Sequence, residues 1–272
     1  MESAYEKILS LRGMDDFKRL ARRLKTMSDN RRKLKLNSIR LPHFLFAEDG
    51  GSGVTTHLHL FARLLDELGL FDFRGEEKVI EQVFNDSLDP LLQAVSESSG
   101  FNRSFRGIVG IEIDENDIRS ESFSKLIEFA EDEQGADIIF VFIAKMKNGK
   151  VPEELVRLLS LSFSLEVLLF PKLSQGDLTY YLVKFVERRG FHMTNKAIKY
   201  ITEIMPTFEA LEGFDGLQSL DNMADAIVYH ICTTQNLSKP VFDENSLKNL
   251  FENEGYLAQF VVHHNRNRKI GF

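Results

Sequence analysis

Only one cysteine, Cys232, occurs in the 272 residues. That excludes an intrachain disulfide and any cysteine-built metal cluster. Long apolar runs are missing too. The longest, Ile138 to Ala144, is far short of the ~20 residues a helix needs to cross a bilayer. The opening residues lack the basic-then-apolar pattern of an export signal. These absences predict a soluble, cytoplasmic protein with no membrane attachment. Positive charge is scarce over most of the chain. Net charge is −7, yet residues 1–40 carry 12 Lys/Arg against 5 Asp/Glu, while the remainder carries 22 against 36. The basic segment reads either as an arm for nucleic acid or another polyanion or as a solvated helix face. Phe17, Leu20, Ala21 and Leu24 recur at helical spacing among Lys18, Arg19, Arg22, Arg23 and Lys25, which favours the helix face.

With 43% hydrophobic residues, the chain can build one large domain or a medium domain with a small one. After the N-terminal helix and an Arg31-Arg32-Lys33 turn, Phe44 to Ala47 reads as a short buried strand, and Thr56 to Leu68 as a helix. Strand 78–83, helix 89–95, a polar loop from Ser96 to Ser104 and strand 108–113 follow. Helix 122–130 leads into 137–144, whose Ile-Ile-Phe-Val-Phe-Ile core suits a sheet covered on both faces. Helix 152–161 and strand 165–170, ended by Pro171, complete the alternation, which implies a parallel α/β domain. Beyond Pro171 only helices are expected, over 175–189, 194–205, 217–235 and 243–253. The boundary falls near 171, giving an α/β domain over 1–171 and an all-helical domain over 172–272.

Between the first strand and its helix lies Glu48-Asp49-Gly50-Gly51-Ser52-Gly53-Val54-Thr55-Thr56. A phosphate-binding loop reads Gly-x-x-x-x-Gly-Lys-Ser/Thr in that setting. Glu48 takes the first glycine position and Val54 the lysine position. In such loops the amides cradle phosphate, lysine neutralises it and the hydroxyl holds Mg²⁺. Candidate nucleotide contacts are therefore Gly51, Ser52, Gly53, Val54, Thr55 and Thr56. Asp114-Glu115, at the carboxyl end of an apolar strand, has the place of the carboxylates that serve the metal and the attacking water. Thr55 and Asp114 are the candidate metal ligands, and Asp114 and Glu115 the candidate catalytic pair.

These motifs resemble the AAA+ ATPase superfamily, and within it the group that includes CbxX and stage V sporulation protein K. The resemblance also draws on Leu11-Arg12-Gly13-Met14-Asp15-Asp16-Phe17-Lys18, on Leu169-Phe170-Pro171 with Leu173 to Leu178, and on the closing Arg268-Lys269-Ile270-Gly271-Phe272. It implies a P-loop NTPase-like parallel sheet sandwich of strand order 5-1-4-3-2 and a smaller helical lid. The departures all remove positive charge. Ser162 stands at the position implied for an intersubunit arginine finger, and Gln218 at that of a lid arginine. Arg157 is a displaced alternative to the finger, though an exposed arginine on a polar helix face explains it more simply. In the implied order Lys145 and Lys147 emerge beside the loop, and either offers a substitute for the absent lysine. His43, His57 and His59, and His230, His263 and His264 in the lid, form no recognised metal motif and read as structural or surface residues.

The resulting expectation is a degenerate AAA+ module acting as a non-catalytic scaffold, regulatory or partner-binding protein. No cofactor is expected, with ATP or ADP and Mg²⁺ the ligands if the site works. The alternatives are an atypical remodelling ATPase completed by another subunit and a nucleic-acid-binding protein that uses the basic helix. Partners would be another protein or further copies of the chain, in a ring or as a dimer.

Overall fold

Five apolar runs become the strands of one parallel sheet. They are β1 (His43–Glu48), β2 (Val79–Val83), β3 (Ile108–Glu112), β4 (Ile139–Lys145) and β5 (Leu165–Phe170), in the order β2-β3-β4-β1-β5. The computed structural model describes residues 3–36, 39–74, 77–84, 88–98, 105–131, 137–234 and 239–253. The order is the one implied by the AAA+ resemblance. Position in the sheet follows apolar continuity. Phe44 to Ala47 and Ile139 to Ala144 are all buried, as central strands covered on both faces must be. At the edges, β2 exposes Val83 and β5 exposes Leu169.

The chain divides into two compact units, residues 1–49 with 54–171 and residues 50–53 with 172–272. In the first, helices link successive strands: α3 (Val54–Glu67), α4 (Asp89–Ser98), α5 (Glu121–Glu131) and α6 (Glu153–Ser162). Strand pleating sorts the core. Phe44 and Phe46 lie on one face of β1, where Phe61 of α3 approaches them to 4.8 and 6.1 Å between ring centroids. Leu45 lies on the other face, in a cluster with Phe140, Phe142, Leu155, Leu159 and Phe163.

Two helices precede the sheet. α1 (Ala4–Ser10) starts at a capping box, in which Ser3 and Glu6 exchange side-chain and backbone hydrogen bonds. α2 (Asp15–Leu34) buries Phe17, Leu20, Ala21, Leu24 and Ser28, the stripe expected from spacing. Its last turn contains Arg31, Arg32 and Lys33, so the turn expected there lies one step later, at Lys35 with φ of 53°. Arg31 donates to the carbonyl of Gly69 and Ser28 to that of Leu68. These bonds satisfy backbone acceptors just beyond α3, which intrahelical bonding leaves open. Arg23 pairs with Glu166. These contacts engage Arg31 and Arg23 of the basic segment within the unit.

The second unit contains α7 (Gln175–Arg188), α8 (Asn195–Glu209), α9 (Gly216–Thr234) and the short α10 (Glu244–Lys248). Ser174, Thr194 and Asp243 cap α7, α8 and α10 through their side chains. Arg189 ties α7 to α9: it donates to Phe185 and Asp221 carbonyls and pairs with the Asp221 and Asp225 carboxylates. The guanidinium holds Asp225 below the usual carboxylate range. The unit is not all helical, contrary to the sequence reading. β6 (His192–Met193) and β7 (Val241–Phe242) form a two-stranded parallel ribbon. Strands of two residues are too short to carry a period-2 pattern, and their pairing is non-local. The ribbon is held by His192 N–H to Pro240 O, Thr194 N–H to Phe242 O and stacking of Phe191 on Phe242. Among the described residues no helix is long and apolar enough to cross a membrane.

Candidate functional site

The carboxyl edge of the first unit's sheet is built by strand register. Glu48 of β1 is paired with Lys145 of β4, and Glu112 of β3 with Ile143. The Met146 N–H then donates to the Glu48 carbonyl at 2.6 Å and the Asp49 N–H to the Phe170 carbonyl at 3.1 Å. β4 therefore separates β1 from β3, and the ends of these strands bring Glu48, Asp49, Glu112, Asp114 and Glu115 to one edge with Lys145 and Lys147. The edge is predominantly acidic.

Asp114 closes its own turn. Its Oδ1 accepts the Asn116 N–H at 2.9 Å and the Asn116 Nδ2 at 2.8 Å. Its N–H donates to the Asp117 carboxylate at 2.7 Å, and the Asp117 N–H returns a bond to the Asp114 carbonyl at 3.1 Å. This Asx arrangement is a local alternative to metal service for an aspartate after a strand. Asp-x-Asn spacing was its signal in the sequence, but the sequence reading did not weigh Asn116 or Asp117.

The lysines considered as substitutes have carboxylate neighbours. Lys147 pairs with Glu115, whose carboxylate holds the ammonium above the usual lysine range. Lys145 Nζ lies 3.8 Å from Glu112 Oε1, with both side chains substantially exposed. Lys147 also opens a two-residue hairpin turn. Asn148 and Gly149 both have positive φ, and Lys147 and Lys150 exchange backbone bonds at 2.9 and 3.0 Å.

Val54 begins α3 with its side chain 5% exposed, while Thr55 and Thr56 are exposed in the same turn. Ser52 is fully buried. The loop 50–53 groups with the second unit because its backbone lies against the start of α9. The Leu217 N–H donates to the Gly51 carbonyl at 3.1 Å, satisfying one amide of the first helical turn. Gly51 and Gly216 both have positive φ, of 65° and 44°. A Cβ on Gly216 would stand 1.8 Å from the Gly51 oxygen, and one on Gly51 would stand 2.7 Å from the Gly216 nitrogen. Gly216 was not singled out from sequence, because the need for it arises from a segment 165 positions away. Gly216→Ala is expected to destabilise the second unit by about 1–3 kcal/mol through strain and loss of this bond. Amide exchange at Leu217 reads the effect directly; protection equal to wild type would refute it.

The remaining sequence candidates are dispersed. Ser162 ends α6, Arg157 is exposed on α6, and Gln218 is exposed with its Nε2 3.3 Å from Asn222 Oδ1. His57 is buried against Phe17 and Phe170, at 5.6 and 5.3 Å between ring centroids. His59 lies 2.8 Å from Glu81. His263, His264 and the closing Ile270-Gly271-Phe272 lie outside the described residues. No His/Cys/Asp/Glu group among the described residues is arranged to hold a metal ion.

No protein-family model matches the sequence, and no curated protein matches it. Solved structures do. A proline-to-glycine variant of RuvB from Thermotoga maritima matches with a TM-score of 0.55 at 12% identity, covering 92% of this chain and 72% of that one. An arginine-to-alanine variant of the same protein gives 0.53 at 12% identity, over 85% and 67%. The chain thus has a P-loop NTPase-like parallel α/β fold similar to that of RuvB. Its described likeness is to RuvB, and at this identity it is a likeness of fold.

Proposed function

We propose that this chain is an AAA+-type module that acts as a scaffold, regulatory or partner-binding protein without efficient ATP turnover. The observation that carries the reading is Val54, an uncharged and buried side chain at the position of the P-loop lysine. The surrounding charges support it. A triphosphate beside Glu48 and Asp49 would meet like charge, at a cost of about 1–4 kcal/mol per contact near 4 Å. Lys147 is committed to Glu115 and the Asp114 Oδ1 to Asn116. These residues do not fit a Mg²⁺-nucleotide well. The domain division near residue 171, the lid role of the helical unit and the narrower kinship with the CbxX group belong to this proposal. A partner protein or further copies of the chain would complete its working form.

The fold likeness to RuvB favours a second reading, an atypical remodelling ATPase active with a second subunit. Thr55 and Asp114 would then hold the metal, and the loop amides the phosphates. Thermal unfolding in millimolar Mg·ATP or Mg·ADP separates the two. A ligand at a hundred times its Kd adds about 2.7 kcal/mol of stability. The scaffold reading expects no shift in Tm and no phosphate release. A shift that disappears in Thr55→Ala and Asp114→Asn, accompanied by phosphate release, would establish the ATPase instead.

A further inference from the structure

The outer edge of β5 faces a cleft of about 510 Å³ lined by Asp16, Arg19, Arg22, Arg23, Glu166, Val167 and Leu168. Among the described residues β5 has a partner strand only on its β1 side. The register fixes which backbone groups face outward. The Ser164 carbonyl accepts from His43 and the Phe170 carbonyl from Asp49. In a parallel ladder the intervening alternate residues Glu166 and Leu168 also face β1. Leu165, Val167 and Leu169 therefore turn their N–H and C=O groups away from the sheet. The Leu169 N–H donates to the Asp16 carboxylate at 3.1 Å, which blunts one end of the edge. Among the described residues no strand covers Val167 on that side.

Charge around the edge is layered. Arg19 and Arg23 are 70% and 63% exposed, while their partners Asp16 and Glu166 are only 21% and 25% exposed. Arg22 adds a third exposed guanidinium. An approaching chain meets the arginines before it meets the carboxylates. The edge itself, Leu165-Glu166-Val167-Leu168-Leu169, has no proline or glycine to interrupt pairing.

We propose that the outer edge of β5 binds an extended, acidic segment of a partner protein as an added strand. Main-chain bonds to Val167 would supply pairing, and Arg19, Arg22 and Arg23 would select carboxylate side chains. This surface is independent of nucleotide, so failure of ATP binding does not bear on it.

Fluorescence polarisation with the full chain tests the assignment. The probes are a labelled extended peptide alternating glutamate with valine and threonine, its counterpart with lysine for glutamate, and single-stranded DNA of matched charge. The acidic peptide should bind at least about tenfold more tightly than the basic one. Val167→Pro removes an outward N–H while leaving the β1 ladder intact, and should weaken binding about tenfold with the circular dichroism unchanged. Arg22→Glu should weaken binding and flatten its salt dependence. If Val167→Pro does not fold, slower exchange of the Val167 amide in wild type with the acidic peptide provides the same test. Absence of peptide binding, equal binding of both peptides, or unchanged Val167 exchange would overturn the proposal. So would DNA binding that exceeds peptide binding and ignores Val167→Pro, which would mark a polyanion surface in place of a strand edge.

Discussion

Replacing Phe46 with alanine is expected to destabilise the first unit by about 3–5 kcal/mol, the range for truncating a buried phenylalanine. Its ring is fully buried and has aromatic neighbours on α2, α3 and β5 as well as on β1 itself. Centroid distances are 6.3 Å to Phe17, 6.5 Å to Phe44, 6.1 Å to Phe61 and 4.9 Å to Phe170. Truncation would remove apolar burial and leave a cavity between α2, α3, β1 and β5, because the remaining rings can collapse only in part. In a unit of this size, Tm should fall by about 6–20 °C. Leu161→Ala is the matched control: that side chain is 74% exposed and its loss should stay within about 0.5 kcal/mol. Denaturant unfolding compares the two, and equal midpoints would remove Phe46 from the centre of the core.

Acid should weaken the same unit through His43. Its Nδ1 accepts the Phe140 N–H at 3.0 Å, a role open only to an unprotonated nitrogen. Burial, and then the nearby Arg40 charge, lower its pKa to about 4. The unfolded chain takes up the proton near the ordinary value of 6.5, whereas the folded chain resists until about 4. The stability linked to this group is complete above the upper value. It falls by about 1.4 kcal/mol per pH unit as the medium is acidified through the window, roughly 3 kcal/mol in all, and levels off below it. His43→Asn keeps an acceptor for the Phe140 N–H and does not titrate there. Urea midpoints of wild type and variant, measured across the window, should diverge by that slope. Parallel curves would mean that His43 is not the responsible group.

These two residues show how unevenly the sequence exposed its own meaning. Phe44-Leu45-Phe46-Ala47 was legible as a strand because a short apolar run before a glycine-rich loop is a local signal. That Phe46 sits among four rings was not legible, since three of them, Phe17, Phe61 and Phe170, belong to segments apart from β1 in sequence. His43 read only as a structural or surface residue. Its neutral state depends on a backbone donor from β4 and on burial, neither of which is written near residue 43. Asp114 is intermediate. Asn116 and Asp117 follow immediately and contain the turn signal, but only the hydrogen bonds assigned the carboxylate oxygen to Asn116.

The sequence by itself determined where the five sheet strands and the longer helices form, and that the phosphate-loop position of lysine holds valine. Both are local properties, set by apolar periodicity and residue identity. The tertiary structure alone decided that Gly51 and Gly216 meet backbone to backbone, that Lys147 is bound to Glu115, and that Asp16 of α2 accepts from the outer edge of β5. Each depends on which distant segments share a strand register or close contact. Hydrophobic pattern constrains such pairings without specifying the hydrogen-bond and charge partners at their ends.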